Sequence, residues 1–449
     1  MAKPAKKQLH INLFMSAAGH HEAAWRLPDA TPGSQLTFDH YRHAAEVAER
    51  GRLDSIFFAD LLSVGPNVSR QLVNALEPTS VLAAISAVTS HVGLIATLST
   101  SYNEPYNVAR RFATLDHLSG GRAGWNIVTS ASQAEARNFG LDARKDHADR
   151  YRRATEFVGV VNQLWDSWED SALVGDKESG LYTDPQRLHA VDHEGEFFRV
   201  AGPLSVPRSP QGRPVLIQAG TSSDGITLGA RYGEAIFTAQ RTIPEGKAFY
   251  DELKGRAVNQ FDRDPDNILI LPGISPFLGS TEEEARRVEE ELLDLIQTEF
   301  ALKQLSSFLD YEVTEEHLDQ KLPPIPGEDQ IEGHKSRSTL LVQLARAEDL
   351  TVRQLLGRIA SGRGHRTFVG TPEQLADDLE LWFKHGAADG FNFMPPSIPA
   401  QMEVFVDHAI PILQKRGLFR EEYEGTTLRD NYGLPRPAST FAGAVPVAA

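Results

Sequence analysis

The chain has 449 residues, of which 41% are hydrophobic, enough to bury a large core in one elaborated domain or two. Its 45 basic against 61 acidic residues give a net charge of −16, which opposes binding to phosphate backbones and anionic membrane surfaces, so neither nucleic acid nor membrane is an expected partner. The absence of cysteine excludes disulfides, thiolate nucleophiles, zinc–thiolate sites and iron–sulfur clusters.

In chain order, short apolar runs alternate with stretches of helical period. The runs are LHINLF (9–14), DSIFFAD (54–60), VGLIATLST (92–100), AGWNIVTS (123–130), PVLIQAG (214–220), EAIFTA (234–239), NILILPGI (267–274) and DGFNFMP (389–395). Helices are expected from Thr37, after Pro78 and near Pro105, where the prolines suit a first turn. Thr281 with Glu284, and Thr371 with Gln374, have capping-box spacing. The glycine pair Gly120–Gly121 ends a helix and lets the chain turn into the next strand. Eight strands, each followed by a helix, predict an α/β chain folded as a (β/α)8 barrel, one domain over 1–449, rather than an open doubly wound sheet.

Two intervals exceed simple connections. Residues 131–213 are expected to be an insertion with a helix from about Arg150 to Trp165 and a hairpin in LHAVDHEGEFFRV. Residues 279–388 are a lid candidate, with a proline-rich break at 321–338. The basic start KPAKK reads as a solvated arm, and 434–449 as a frayed or docking tail. With no spanning apolar run and no signal-type core after Lys7, the expected location is cytoplasmic.

In such a barrel the chemistry belongs at the carboxyl ends of the strands, which selects Asp60, Thr97, Ser99, Asn126, Thr129, Ser130, Gly220, Thr221 and Ser222. These are hydroxyls, amides and one carboxylate, without the paired carboxylates, histidine cluster or lysine of hydrolytic or Schiff-base sites; such an inventory suits a bound cofactor. AGTSSDG (219–225) ends a strand and opens a helix, so its amides and the Ser222 and Ser223 hydroxyls form either an anion nest or a plain N-cap. Without GxGxxG or GxxxxGK[ST], a monophosphate cofactor fits better than a dinucleotide or triphosphate. Asp60 could equally cap the next helix. His189 and His193 have metal-ligand spacing, but Gly195 and the following FF indicate loop and strand, so no metal site is expected. Trp125 and Phe57 read as barrel core, Arg122 as a structural bond at a strand entrance, and SGRGHRTF (361–368) as a loop before the Thr371 cap.

The segment LDHLSGGRAGWNIVTS (115–130) resembles the signature of the two-component, reduced-flavin-dependent monooxygenases of the bacterial-luciferase superfamily. HINLF (10–14), FFAD (57–60), EARNFG (135–140), YTDPQRLHAVDHEGEFFRVAGPLSVPRSPQGRPVLIQAG (182–220), VGTPEQLADDL (369–379) and DGFNF (389–393) match in order. Within that superfamily the chain is similar to the nitrilotriacetate, EDTA, dibenzothiophene-sulfone and long-chain-alkane monooxygenase group. The resemblance implies FMN as cofactor, supplied as FMNH2 by a separate NAD(P)H:flavin reductase, O2 as co-substrate, a small organic substrate cleaved at a C–S, C–N or other carbon–heteroatom bond, and a homo-oligomer, dimer or tetramer. By the same resemblance Asp60 and Thr97 lie by the isoalloxazine ring with Ser130 near it. His147 and Tyr151 meet the ribityl or phosphate end, Gly220, Ser222 and Ser223 hold the phosphate, and His20 is the catalytic candidate beside the substrate.

Departures at Ser16–Ala17, at Ala131 and in ADLLSVGP disfavour alkane oxidation. No set of cations for a polycarboxylate stands out, so an uncharged, aromatic or sulfur-containing substrate is expected at least as much. The alternatives are a deazaflavin-dependent oxidoreductase of the same superfamily and a non-catalytic flavin-binding protein.

Overall fold

The computed structural model describes residues 7–64, 68–70, 76–325, 335–362 and 364–441. Most of the basic start, part of the proline-rich break, Arg363 and the last eight residues lie outside them. Eleven strands are present: β1 His10–Met15, β2 Ser55–Phe58, β3 Gly93–Ser99, β4 Ala123–Val128, β5 His193–Glu194, β6 Arg199–Val200, β7 Val215–Gln218, β8 Ala235–Thr238, β9 Leu269–Leu278, β10 Arg366–Gly370 and β11 Gly390–Phe393. The helices are α1 Phe38–Arg50, α2 Pro78–Ser86, α3 Pro105–Ser119, α4 Gln133–Asn138, α5 His147–Trp165, α6 Ser223–Tyr232, α7 Ile243–Phe261, α8 Glu282–Asp294, α9 Thr298–Leu309, α10 Lys335–Ala347, α11 Val352–Gly362, α12 Pro372–Lys384, α13 Ala400–Val404, α14 Ile410–Lys415 and α15 Leu428–Asn431.

Parallel pairing runs β9–β11–β1–β2–β3–β4–β7–β8, and β8 pairs back to β9, which closes an eight-stranded barrel. All eight staves are the apolar runs read from the sequence. The ninth strand of this sheet, β10, pairs only with the extended end of β9, Thr367 opposite Ser275. It takes residues 366–368 of the stretch expected to be a loop, whose first two residues end α11. Alternation sorts the staves as a barrel requires. Phe57, Ile95, Ile217, Phe237 and Leu271 fill the interior, while Trp125 faces out into Phe112, Phe157 and Trp165 of α3 and α5.

Local signals explain the element ends. α3 stops where Gly120 adopts φ 70° and Gly121 φ 98°, left-handed values open to glycine. At α12 Thr371 and Gln374 form the full reciprocal capping box. At α8 only half of it forms: Thr281 accepts from the Glu284 N–H, and the Glu284 carboxylate turns instead to the backbone of Ser280 at 2.7 Å. α5 begins at His147, one turn earlier than the apolar period indicates, and His193–Glu194 with Arg199–Val200 form the expected hairpin.

The amino end of the barrel is sealed from within. Leu428, Tyr432 and Leu434 enter the interior cluster, and a side chain in place of Gly93 would run into Leu428. Arg122 braces this end, donating to the carbonyls of Ser86, Thr89, Val92 and Ser119. Beyond Leu434 the chain lies as a strap on the first insertion: Arg436 pairs with Asp170, and the Phe441 ring stacks on His189 at 3.6 Å. Between β9 and β10, α9, α10 and α11 enclose a separate apolar cluster that includes Leu305, Leu341, Leu344 and Leu355. α12, by contrast, packs Leu375, Leu379 and Trp382 on the barrel, so the second long interval is part helical excursion and part barrel wall.

Candidate active site

The carboxyl-end mouth has an aromatic floor. Phe14 stacks on Phe57 at 4.8 Å, and Phe237 meets Phe14 edge-on at 5.2 Å. His20, in the segment after β1, is 2% exposed; its Nε2–H donates to the Phe14 carbonyl at 2.8 Å and its ring lies 4.8 Å from the Phe14 ring. Its neighbour His21 points elsewhere, toward Phe277, and its Nδ1 accepts from the Ala23 N–H.

On the β2–β3–β4 side, Thr97 follows the inward parity of Ile95. Its hydroxyl donates to the Phe58 carbonyl at 2.7 Å and accepts from Asn126 Nδ2 at 2.8 Å. The next inward residue, Ser99, receives the Ser130 hydroxyl at 2.8 Å. Ser130 holds φ 44°, a left-handed conformation uncommon for a side-chain-bearing residue and typical of functional strand ends; Arg150 fixes it by donating to its carbonyl at 2.6 Å. Asp60 stands at the end of β2. Burial, with the nearby carboxylates of Glu77 and Glu135, pushes its pKa up to about 6.

Further round the mouth the first turns of α5 and α6 converge. His147 Nδ1 lies 3.0 Å from the Asp224 carboxylate, and the His147 and Tyr151 rings are 4.8 Å apart. Ser222 caps α6, accepting from the Gly225 N–H at 3.2 Å, and Arg256 reaches the Ser223 hydroxyl at 3.3 Å. Gly220 is a close approach: a Cβ there would stand 3.0 Å from the Tyr151 hydroxyl and 3.0 Å from Gly225 Cα. Exposed helix-start amides, two serine hydroxyls, an imidazole and a glycine cradle together fit a phosphate monoester and the polyol chain leading from it. Asp224 opposes an anion there, and its carboxylate is turned to His147 Nδ1.

Thus Asp60, Thr97 and Ser130 line one arc, and His147, Tyr151, Gly220, Ser222 and Ser223 gather on the next, while His20 lies across the aromatic floor. The N-cap reading of Ser222 and the anion nest coexist, because the cap uses the serine oxygen and leaves the first amides of the turn outward. Sequence reasoning missed Arg150, Asp224 and Arg256, although Arg150 lies inside the DHADRY segment that yielded its neighbours. It also missed His365, whose ring stacks on Phe237 at 4.9 Å. His189 and His193 each face a glutamate, Glu169 at 2.9 Å and Glu156 at 3.0 Å, in different parts of the insertion.

The luciferase-like monooxygenase profile matches residues 17–389. N-acetyl-S-(2-succino)cysteine monooxygenase of Bacillus subtilis (strain 168) is 46% identical over 97% of this chain and 99% of its own. Nitrilotriacetate monooxygenase component A of Aminobacter aminovorans is 45% identical over 98% of this chain and 99% of its own. Among solved structures, riboflavin lyase with modified FMN and substrate riboflavin superposes with a TM-score of 0.84 at 34% identity, covering 96% of this chain and 97% of the other. The chain belongs to the luciferase-like monooxygenase family, and its barrel is the fold of that family.

Proposed function

We propose, on the premise of that membership, that the protein is the oxygenating component of a two-component system. It binds FMNH2 delivered by a separate NAD(P)H:flavin reductase and uses O2 to oxygenate a small organic substrate at a carbon–heteroatom bond such as C–S or C–N. The observation that carries this reading is the convergence of His147, Tyr151, Gly220, Ser222 and Ser223 at two helix starts beside the arc of Asp60, Thr97 and Ser130. Support for flavin also comes from the FMN named with the similar riboflavin lyase, and for a partner from the words "component A" in the name of the nitrilotriacetate relative.

Bound reduced flavin supplies the activation of O2; the chain supplies placement, proton control and dryness. Ser222, Ser223 and His147 hold the phosphate, with Tyr151 beside the polyol. Asp60, whose pKa burial and neighbouring carboxylates raise to about 6, would hold or release a proton beside the bound flavin. His20 is oriented by its bond to the Phe14 carbonyl and presents its ring to the substrate side. Phe14, Phe57 and Phe237 keep water from the floor.

Anaerobic titration with FMNH2, followed by rapid mixing with O2, tests the reading. Saturable binding and reoxidation much slower than that of free FMNH2 are expected. Absence of binding, or reoxidation at the rate of free flavin, would sink it.

A further inference from the structure

Two arginines converge on the end of β4. Arg150 Nη1 donates to the Ser130 carbonyl at 2.6 Å and Arg144 Nη1 to the Ala131 carbonyl at 2.9 Å, so two consecutive peptides each hold a guanidinium. Arg150 is 7% exposed, whereas Arg144 lies at the surface. Neither forms an ion pair with a carboxylate among the described residues. Burial, and then the charge of Arg144, lower the Arg150 pKa, and only the Tyr151 and Tyr102 phenols oppose them. The next arginines along α5 are compensated: Arg152 pairs with Asp149 and Glu196, and the charges of Glu104 and Glu156 act on Arg153.

A guanidinium stays charged at any working pH, and burying it without a counter-charge is costly. Carbonyl oxygens satisfy its N–H groups but leave its charge in place. Arg150 also stands between the two halves of the proposed cofactor site. Its guanidinium holds Ser130, whose hydroxyl donates to Ser99 on the first arc, and the next residue in the chain is Tyr151, at the Gly220 cradle on the other. In a chain of net charge −16, a cation at this place favours a ligand that brings negative charge. The flavin ring brings it in one redox state only: the reduced ring loses a proton near neutral pH and becomes an anion, and the oxidised ring is neutral.

We infer that Arg150, with Arg144 in support, is a positioning residue that makes the site prefer reduced over oxidised flavin: it fixes Ser130 and supplies a positive charge that only the anionic ring answers. The phosphate is common to both redox forms and takes no part in the preference. The inference rests on the flavin reading of the proposed function and adds to it the origin of redox selectivity.

The test is to titrate the full chain with FMN in air and with FMNH2 under anaerobic conditions, in wild type, Arg150→Met, Arg150→Lys and Arg144→Met. Wild type is expected to bind FMNH2 at least about tenfold more tightly than FMN. Arg150→Met should cut that preference about tenfold, a fall of about 30 mV in the two-electron potential of bound FMN. Arg150→Lys, which keeps the charge but not the fork, should stay within about threefold of the wild-type preference. Arg144 is screened by water and salt, so Arg144→Met should lower the preference only about two- to threefold; as a surface change it also decides the matter should Arg150→Met fail to fold. Equal weakening of both redox forms in the methionine variants would make the arginines purely structural and overturn the inference. So would a preference that neither variant changes, or its absence from wild type. Wild type that binds neither form would strike the flavin reading itself, and the inference with it.

Discussion

The two ends of the barrel are built from opposite chemistry. At the amino end, two carboxylates are buried against arginines. Asp54, 0% exposed, accepts from Arg420 at 2.6 Å and from the Ile11 N–H at 2.6 Å, and pairs with His10. Glu234 takes both oxygens to Arg429, at 2.8 and 3.0 Å. At the carboxyl end stand hydroxyls, a left-handed Ser130 and Asp60, a carboxyl whose pKa is raised. The buried arginine–carboxylate pairs lie at one end, and the left-handed serine and the raised Asp60 carboxyl at the other. In a barrel of this type stability is therefore expected to reside below and binding above.

The largest effect expected from breaking this division is at Arg429. Arg429→Met leaves the buried Glu234 with only Arg213, at 3.4 Å, and should lower stability by about 3 kcal/mol in urea unfolding. The remaining folded protein should bind FMNH2 normally; a loss of flavin affinity with an unchanged midpoint would break the division. Leu428→Ala removes the apolar plug and should lower stability by about 2–5 kcal/mol, again without a change in flavin affinity. At the other end Asp60→Ala and Tyr151→Phe should each weaken FMNH2 binding about tenfold, roughly 1.4 kcal/mol, with midpoints equal to or above that of wild type. Unchanged affinity in both would remove these residues from the flavin site.

The smallest expected effects are in pH dependence, where Glu234 and Asp60 carry opposite signs. Burial alone would raise the Glu234 pKa, but Arg429 and Arg213 overcome it and hold it at about 2, below the ordinary 4.5. Its stabilisation is thus complete above pH 4.5 and is lost as pH falls toward 2. Asp60, raised from 3.8 to about 6, favours the protonated form in the fold, so its contribution is greatest below pH 3.8 and is lost as pH rises to 6. Unfolding midpoints against pH for Glu234→Gln and Asp60→Asn, each compared with wild type, should diverge in those two separate windows.

The eight staves were legible because each is a short apolar run bounded by turn residues, and the period of the barrel is the period of the sequence. β10 was not legible: its Arg366, Thr367, Phe368 and Val369 are only partly buried, and it pairs with the overhang of β9 rather than with the cylinder. At the site, residues at strand ends could be read from position alone, which gave Asp60, Thr97 and Ser130. Arg150 and Asp224 could not, since what distinguishes them is a contact made only in the fold, Arg150 with the Ser130 carbonyl and Asp224 with His147. The pairing of Glu234 with Arg429, 195 positions apart, was equally invisible because it depends on the closed barrel.

The strand that closes the cylinder, β11, and the segment that fills its floor both come late in the chain. During synthesis β1 and β9 wait with open edges until residues 390–393 emerge, and Leu9 must wait longer for the Leu418 carbonyl it bonds at 2.8 Å. Exposed strand edges are templates for aberrant pairing, so the nascent protein stays vulnerable until residues 390–393 pair with both neighbours. A ribosome stalled anywhere before Leu434 would hold a barrel whose amino end is not yet plugged.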